Sequence, residues 1–237
     1  MGEQMNVTVP TGNFGNIFAA YLAKLMGLPI DRLVCASNKN NILTDFLRTG
    51  TYDRNRDFHL TMSPSMDILI SSNLERLIYF TAGTERTAKY MASLNKTGAY
   101  TVDADVKSKI DASFCGYFAD EEETARTIRR TMERCGYLSD THTAVALSAA
   151  EQYIAQTGDR KPMVVASTAS PYKFANDVYR SLYGKAPADP LAALDELSQK
   201  TDTEIPYPLR GIGERKIRFE DVVPFANMWD AVKKYLG

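Results

Sequence analysis

Residues 9 to 29 read VPTGNFGNIFAAYLAKLMGLP, and this stretch decides the fold. Just before and into it, Met5 to Val9 (MNVTV) alternates and is β-branched, which predicts a short strand. Pro10 ends the strand, because proline has no N–H to give to a sheet ladder. Gly12 and Gly15 bracket a turn whose backbone is free to take positive φ and approach a ligand closely. Asn13 and Asn16 add side-chain amides, and Asn16 is placed to cap the following helix. Ile17, Phe18, Tyr21, Leu22 and Leu25 recur at helical spacing, and Gly27 with Pro29 beyond it marks the stop. Strand, glycine loop and helix bring unspent amides to a helix N-terminus, where a phosphate dianion is favoured. The loop is neither a Walker A nor a GxGxxG fingerprint, so it suits a terminal phosphate better than a pyrophosphate. A purely structural βα turn is the competing reading.

Working outward, Leu33 to Ala36 predicts a second strand ending in polar Ser37 and Asn38. It completes a βαβ unit and hence points to a parallel sheet. Residues 40–50 predict a short helix closed by Gly50, and residues 51–62 a loop with one extended piece. Ser63 as cap and Pro64 at the first helical position predict a helix reaching Gly83, broken near Ser71 and Ser72. A further helix follows over 84–98. From Asp120 the chain carries carboxylates in a first turn and arginines later, with Glu122 and Arg126 as an i,i+4 pair. A solvated helix face is preferred there over an anion site built from Arg126, Arg129 and Arg130. Asp140 caps the next helix, and His142 in its first turn reads as a packed histidine ahead of a catalytic one. Met163 to Ala166 then repeats the opening logic, a buried strand running into Ser167, Thr168 and Ser170, with Pro171 starting a helix that ends at Gly184. A short helix over 189–201, a Pro-rich connection over 204–216 and a terminal helix over 219–237 complete the chain.

The expected class is therefore α/β: an open, mostly parallel sheet with helices on both faces. Residues 1–184 are expected to form a phosphate-binding domain and residues 185–237 a helical arm of that domain. Both Gly/Ser/Thr/Asn-rich turns lie at strand carboxyl ends, where open parallel sheets bind ligands, so the two are placed to face one ligand.

Composition narrows the partners. The formal net charge is −1, which argues against nucleic acid or an anionic membrane as a partner. No apolar run is long enough to span a bilayer, and MGEQMNV has neither signal-peptide nor myristoylation features. Cys35, Cys115 and Cys135 form no CxxC pair, and His59 and His142 are the two histidines. No metal site is expected, and free thiols in a reducing cytoplasm are.

Five segments in order, VPTGNFGNIFAAYLAKLMGLPI, ASNKNNILTDFLRTGTY, PSMDI, DTHTAV and STASPYKF, resemble the C-terminal half of threonine synthase. The resemblance implies the fold of tryptophan synthase β, the cofactor pyridoxal 5′-phosphate (PLP), and conversion of O-phospho-L-homoserine and water to L-threonine and phosphate. It further implies that Thr11, Gly12, Asn13, Phe14, Gly15 and Asn16 hold the cofactor phosphate and that Thr168 places its hydroxyl at the pyridine nitrogen. Asn38 and Lys173 are implied to help hold the substrate phosphate. The family often has His where Ser170 stands, which leaves that position without an assigned role. The lysine that binds PLP covalently lies well upstream of the glycine loop in this family, and no residue here corresponds to it. The expectation is thus of no catalytic residue in this chain, a missing N-terminal domain, and an isolated chain that is inactive. A non-catalytic phosphate- or PLP-binding paralogue and another PLP lyase of the same fold are the alternatives. The oligomeric state is left open.

Overall fold

The computed structural model describes residues 2–236. The chain runs β1 (Met5–Pro10), α1 (Gly15–Leu25), β2 (Ile30–Ser37), α2 (Ile42–Thr49), β3 (Thr51–Asp53), α3 (Leu74–Ala82), α4 (Thr84–Thr97) and β4 (Ala99–Thr101). It continues with α5 (Ala104–Asp111), β5 (Phe114–Phe118), α6 (Glu121–Cys135), α7 (Thr141–Thr157), β6 (Met163–Val165), α8 (Ala175–Tyr183), α9 (Ala192–Thr201) and α10 (Met228–Leu236). Short 3₁₀ turns include Pro64–Met66 and Pro171–Phe174. Two compact units result, Met1–Glu204 and Ile205–Gly237.

The first unit is built on a sheet of order β5-β2-β1-β6 whose neighbouring strands are all parallel. Strand alternation sends Val7, Val9, Leu33, Cys35 and Phe114 to one face, where they pack with Ile17 and Phe18 of α1 and Ile42 and Phe46 of α2. Val34 and Ala36 point the other way, against Val145, Ala146 and Ala149 of α7. Helices thus cover both faces, as the βαβ pattern requires. Beside this sheet, β3 and β4 pair antiparallel and stack Tyr52 on Tyr100 with ring centroids 5.5 Å apart.

The helix expected to open at Ser63 does not form as one piece. Pro64–Met66 makes a single 3₁₀ turn, and regular helix returns only at Leu74. The polar side chains of this stretch hold other segments instead: Asp67 accepts from the Thr61 amide at 2.9 Å, and Ser71 Oγ donates to the Gly12 carbonyl at 2.8 Å. Such side-chain bonds compete with helix and here they win. The arginines of α6 are committed to neighbours. Arg126 pairs with Glu122 and Glu123, Arg130 with Glu151, and Arg129 donates to the Ser181 carbonyl. They make a paired surface, not an anion cluster.

In the second unit the terminal helix begins at Met228, after a 3₁₀ turn over Phe225–Asn227, because Pro224 interrupts the expected start at 219. Phe219 meets Tyr235 edge-on, with centroids 6.3 Å apart, and Lys233 lies over the Trp229 ring. No helix among the described residues is long and apolar enough to cross a membrane.

Candidate functional site

The pairings Pro10 with Ala36 and Thr8 with Val165 align the carboxyl ends of β1, β2 and β6. The three segments singled out from the sequence, Thr11 to Asn16, Ser37 with Asn38, and Ser167 with Thr168, therefore leave the same edge of the sheet. Thr11 anchors the first of them: its amide donates to the Ala36 carbonyl at 2.8 Å and its hydroxyl to the Val9 carbonyl at 2.7 Å.

The glycine loop differs from expectation in one instructive way. The left-handed residue is Phe14, at φ 62° and ψ 1°, and neither Gly12 nor Gly15 has positive φ. Phe14 occupies the position before α1 that Asn16 was expected to fill, and Asn16 lies inside the helix. A left-handed non-glycine costs about 1–2 kcal/mol. Burial of the ring offsets this, since Phe14 is 1% exposed and sits 5.6 Å from the Phe114 ring. Gly12 is required for a different reason. A Cβ there would stand 2.7 Å from the Ser65 carbonyl oxygen and 3.2 Å from Met66 Cα.

The loop's carbonyls are used and its amides are not. Ser71 Oγ donates to the Gly12 carbonyl, and the Asn73 amide and side chain both donate to the Asn13 carbonyl. None of the amides of residues 12–17 donates to a protein group among the described residues. Asn13, Gly15 and Asn16 face solvent. With the Gly12 and Asn13 carbonyls bonded to the 71–73 segment, the amides stand unspent at the start of α1 as a backbone nest of positive partial charge, of the kind that binds anionic oxygens.

Thr168 lies just past the end of β6, exposed and without a protein hydrogen bond among the described residues. Its neighbour Ser167 is engaged, with Oγ 3.0 Å from the Tyr137 hydroxyl and 3.2 Å from Thr143 Oγ1. Ser170 is a cap, its Oγ accepting from the Tyr172 amide at 3.3 Å. Lys173 is exposed, with Nζ 5.4 Å from the Phe174 ring.

Asn38 is placed at the same edge but is buried, and its amide is spent within the protein. Its Nδ2 donates to Thr61 Oγ1, Ser63 Oγ and Asp67 Oδ1 at 2.7 to 3.0 Å, and its Oδ1 accepts from the Asn40 amide. Asn40 adds donations to Asp67 and to the His59 carbonyl. This pair of asparagines therefore pins residues 59–67 beside the loop. The sequence reading assigned no site role to Asn40, Asp67, Ser71 or Asn73, although ASNKNN and PSMDI, already singled out, contain Asn40 and Asp67. Beneath the site, burial pushes the Cys35 thiol up to about 12, so it is an inert apolar group. Cys35 and Cys115 sit on adjacent strands but belong to opposite faces of the sheet. Among the described residues no cluster of His, Cys, Asp or Glu is arranged to hold a metal ion.

Comparison with known proteins agrees with this architecture. Residues 143–236 match the family described as threonine synthase, C-terminal. The threonine synthase of Saccharomyces cerevisiae is 38% identical over 198 residues, which is 77% of this chain and 38% of that protein. The crystal structure of threonine synthase from yeast superposes with a TM-score of 0.85 at 32% identity, over 99% of this chain and 47% of that one. A PLP-bound threonine synthase from Brucella melitensis superposes with a TM-score of 0.72 at 40% identity, over 81% of this chain and 41% of that one. The chain thus spans less than half the length of each of these relatives. In sequence and in its tryptophan synthase β-like fold, the chain is similar to the C-terminal portion of the threonine synthases.

Proposed function

We propose that this chain is the PLP-phosphate-holding part of a threonine synthase, an enzyme that converts O-phospho-L-homoserine and water to L-threonine and phosphate. The observation that carries the proposal is the nest: six consecutive amides, residues 12–17, unspent at the start of α1. A phosphate dianion fits that feature, and bound PLP supplies an electron sink for carbanion character on the substrate.

In this reading Gly12, Asn13, Phe14, Gly15 and Asn16 hold the phosphate, and Thr11 fixes the entry to the loop through its bonds to Ala36 and Val9. Thr168 offers its uncommitted hydroxyl to the pyridine nitrogen. A hydroxyl there, in place of a carboxylate, would leave that nitrogen largely unprotonated and temper the electron sink. Lys173 brings positive charge toward the substrate phosphate. Asn38 serves the same substrate by shaping the 59–67 segment, its own amide being committed. Residues 1–184 are read as the phosphate-binding part, with α9 completing the compact unit that ends at Glu204. The free thiols of Cys35, buried, and Cys115, half-buried, fit a cytoplasmic setting.

The same reading makes the chain alone a binder without turnover. A lysine that attacks an aldehyde needs a dry pocket that lowers its pKa, and no lysine is buried among the described residues. Lys24, whose pKa burial does lower, donates to the Asp31 carbonyl near the far end of α1. The covalent lysine is then supplied by the part of threonine synthase that this chain does not match. Equilibrium binding tests both halves. PLP is expected to bind more tightly than pyridoxal, and borohydride followed by peptide mass spectrometry is expected to find no adduct on a specific lysine. Equal affinities would remove the phosphate reading; a single trapped lysine would remove the inactivity reading.

A further inference from the structure

His142 stands where three segments of the site meet. It is 3% exposed in the first turn of α7. Its Nε2 accepts a hydrogen bond from the Ser65 amide at 3.2 Å. An imidazole nitrogen that accepts carries a lone pair, so the ring proton is on Nδ1. Nδ1 faces Thr141 Oγ1 at 3.2 Å and Asp140 Oδ1 at 3.4 Å, and both oxygens can take that proton in a hydrogen bond. Asp140 is held ionised: burial pushes its pKa up, but hydrogen bonds from His142 and Thr143 outweigh burial and leave it below the usual carboxylate value.

The contacts continue from there toward the nest. Ser65, held through its amide by His142, presents its carbonyl to Gly12 so closely that a Cβ there would stand 2.7 Å away. On its other side the His142 ring lies 4.7 Å from Phe174, the ring under Lys173 Nζ. One imidazole therefore ties the Pro64–Met66 turn, which backs the glycine loop, to the turn that carries Lys173.

We infer that His142 is a positioning residue: a neutral imidazole whose tautomer is set by Asp140 and Thr141, and which latches the Ser65 turn against Gly12 and so fixes the loop's phosphate-holding shape. The inference rests on the phosphate reading for its consequence, but the latch itself does not.

The test uses the full chain with His142→Phe and His142→Gln. Phenylalanine keeps a ring against Phe174 and removes the acceptor, whereas glutamine restores an oxygen acceptor within reach of Ser65. The wild-type imidazole ¹⁵N spectrum is expected to show Nδ1 protonated and Nε2 bare. Amide exchange at Ser65 is expected to rise about ten-fold in His142→Phe, one hydrogen bond's worth of protection, and to stay near wild type in His142→Gln. The preference for PLP over pyridoxal is expected to fall about ten-fold in His142→Phe and to return in His142→Gln. A protonated Nε2, unchanged Ser65 exchange, or equal losses in both variants would overturn the latch. Should His142→Phe fail to fold, the wild-type imidazole spectrum and His142→Gln still decide the matter. A wild-type chain without preference for PLP would sink the phosphate reading alone, because the imidazole and Ser65 results judge the latch separately.

Discussion

Gly12 and Phe14 exchange the roles that residue type alone assigns them. Glycine is usually read as a licence for positive φ, yet here Phe14 takes the left-handed conformation and Gly12 makes room for the Ser65 carbonyl. Gly12→Ala is therefore a packing change. It is expected to cost about 1–3 kcal/mol of stability through the displaced Pro64–Met66 turn, seen as a lowered urea midpoint, and to weaken PLP binding with it. Gly12→Asp would act mainly through the same clash, and only secondarily through charge. Thr168→Val makes the opposite prediction. Thr168 is exposed without a protein partner, so stability is expected to change by less than about 0.5 kcal/mol. The absorbance of bound PLP is expected to shift. An unchanged spectrum would remove Thr168 from the pyridine nitrogen. That a glycine and a neighbouring aromatic build one loop was legible in TGNFGN; which of them bends was not, because the answer lies in contacts with Ser65 and Phe114, far away in sequence.

At the scale of elements, the Asp140 cap was readable, whereas the caps expected at Asn16 and Ser63 did not form and the 63–73 segment was the least legible. Asp140 caps α7 as its position predicts, with Oδ1 accepting from His142 and Thr143, and Asp120, not singled out as a cap, does the same for α6 by accepting from Glu123. Caps are local, so local sequence carries them. Ser63 followed by Pro64 looks like an equally good start, but residues 67–73 are claimed by Asn38, Thr61, Gly12 and Asn13. Only the assembled sheet edge reveals those claims. The elements β4, α5 and β5 escaped the sequence reading. Asp140→Ala is expected to cost about 1–2 kcal/mol as a lost cap, measured by thermal melts. Asp140 and Asp159 also set the acid response. Asp159 is held below the usual carboxylate value by the Lys161 amide, the Asn6 side chain and the Tyr153 hydroxyl. Because both carboxylates ionise more readily folded than unfolded, their contribution is complete above the unfolded value, near pH 4, and is lost as pH falls further. Urea unfolding at stepwise lower pH is expected to show that loss, with a shallower slope in Asp159→Asn. A slope unchanged in that variant would remove Asp159 as a contributor.

For the molecule as a whole, three parallel strands end at one edge and present a loop whose carbonyls are bonded inward and whose amides are not. The parallel α/β class was legible from the βαβ unit over residues 5–37, and the proposed ligand edge from the strand-to-helix turns at residues 10–16 and 166–171. The measurement that bears most directly on the reading is a ¹H–¹⁵N spectrum of the chain titrated with PLP and, separately, with pyridoxal. The expected result is that the amides of residues 12–17 shift with PLP and stay in place with pyridoxal. Shifts confined to other residues, or the same shifts with both ligands, would contradict a phosphate site at the start of α1.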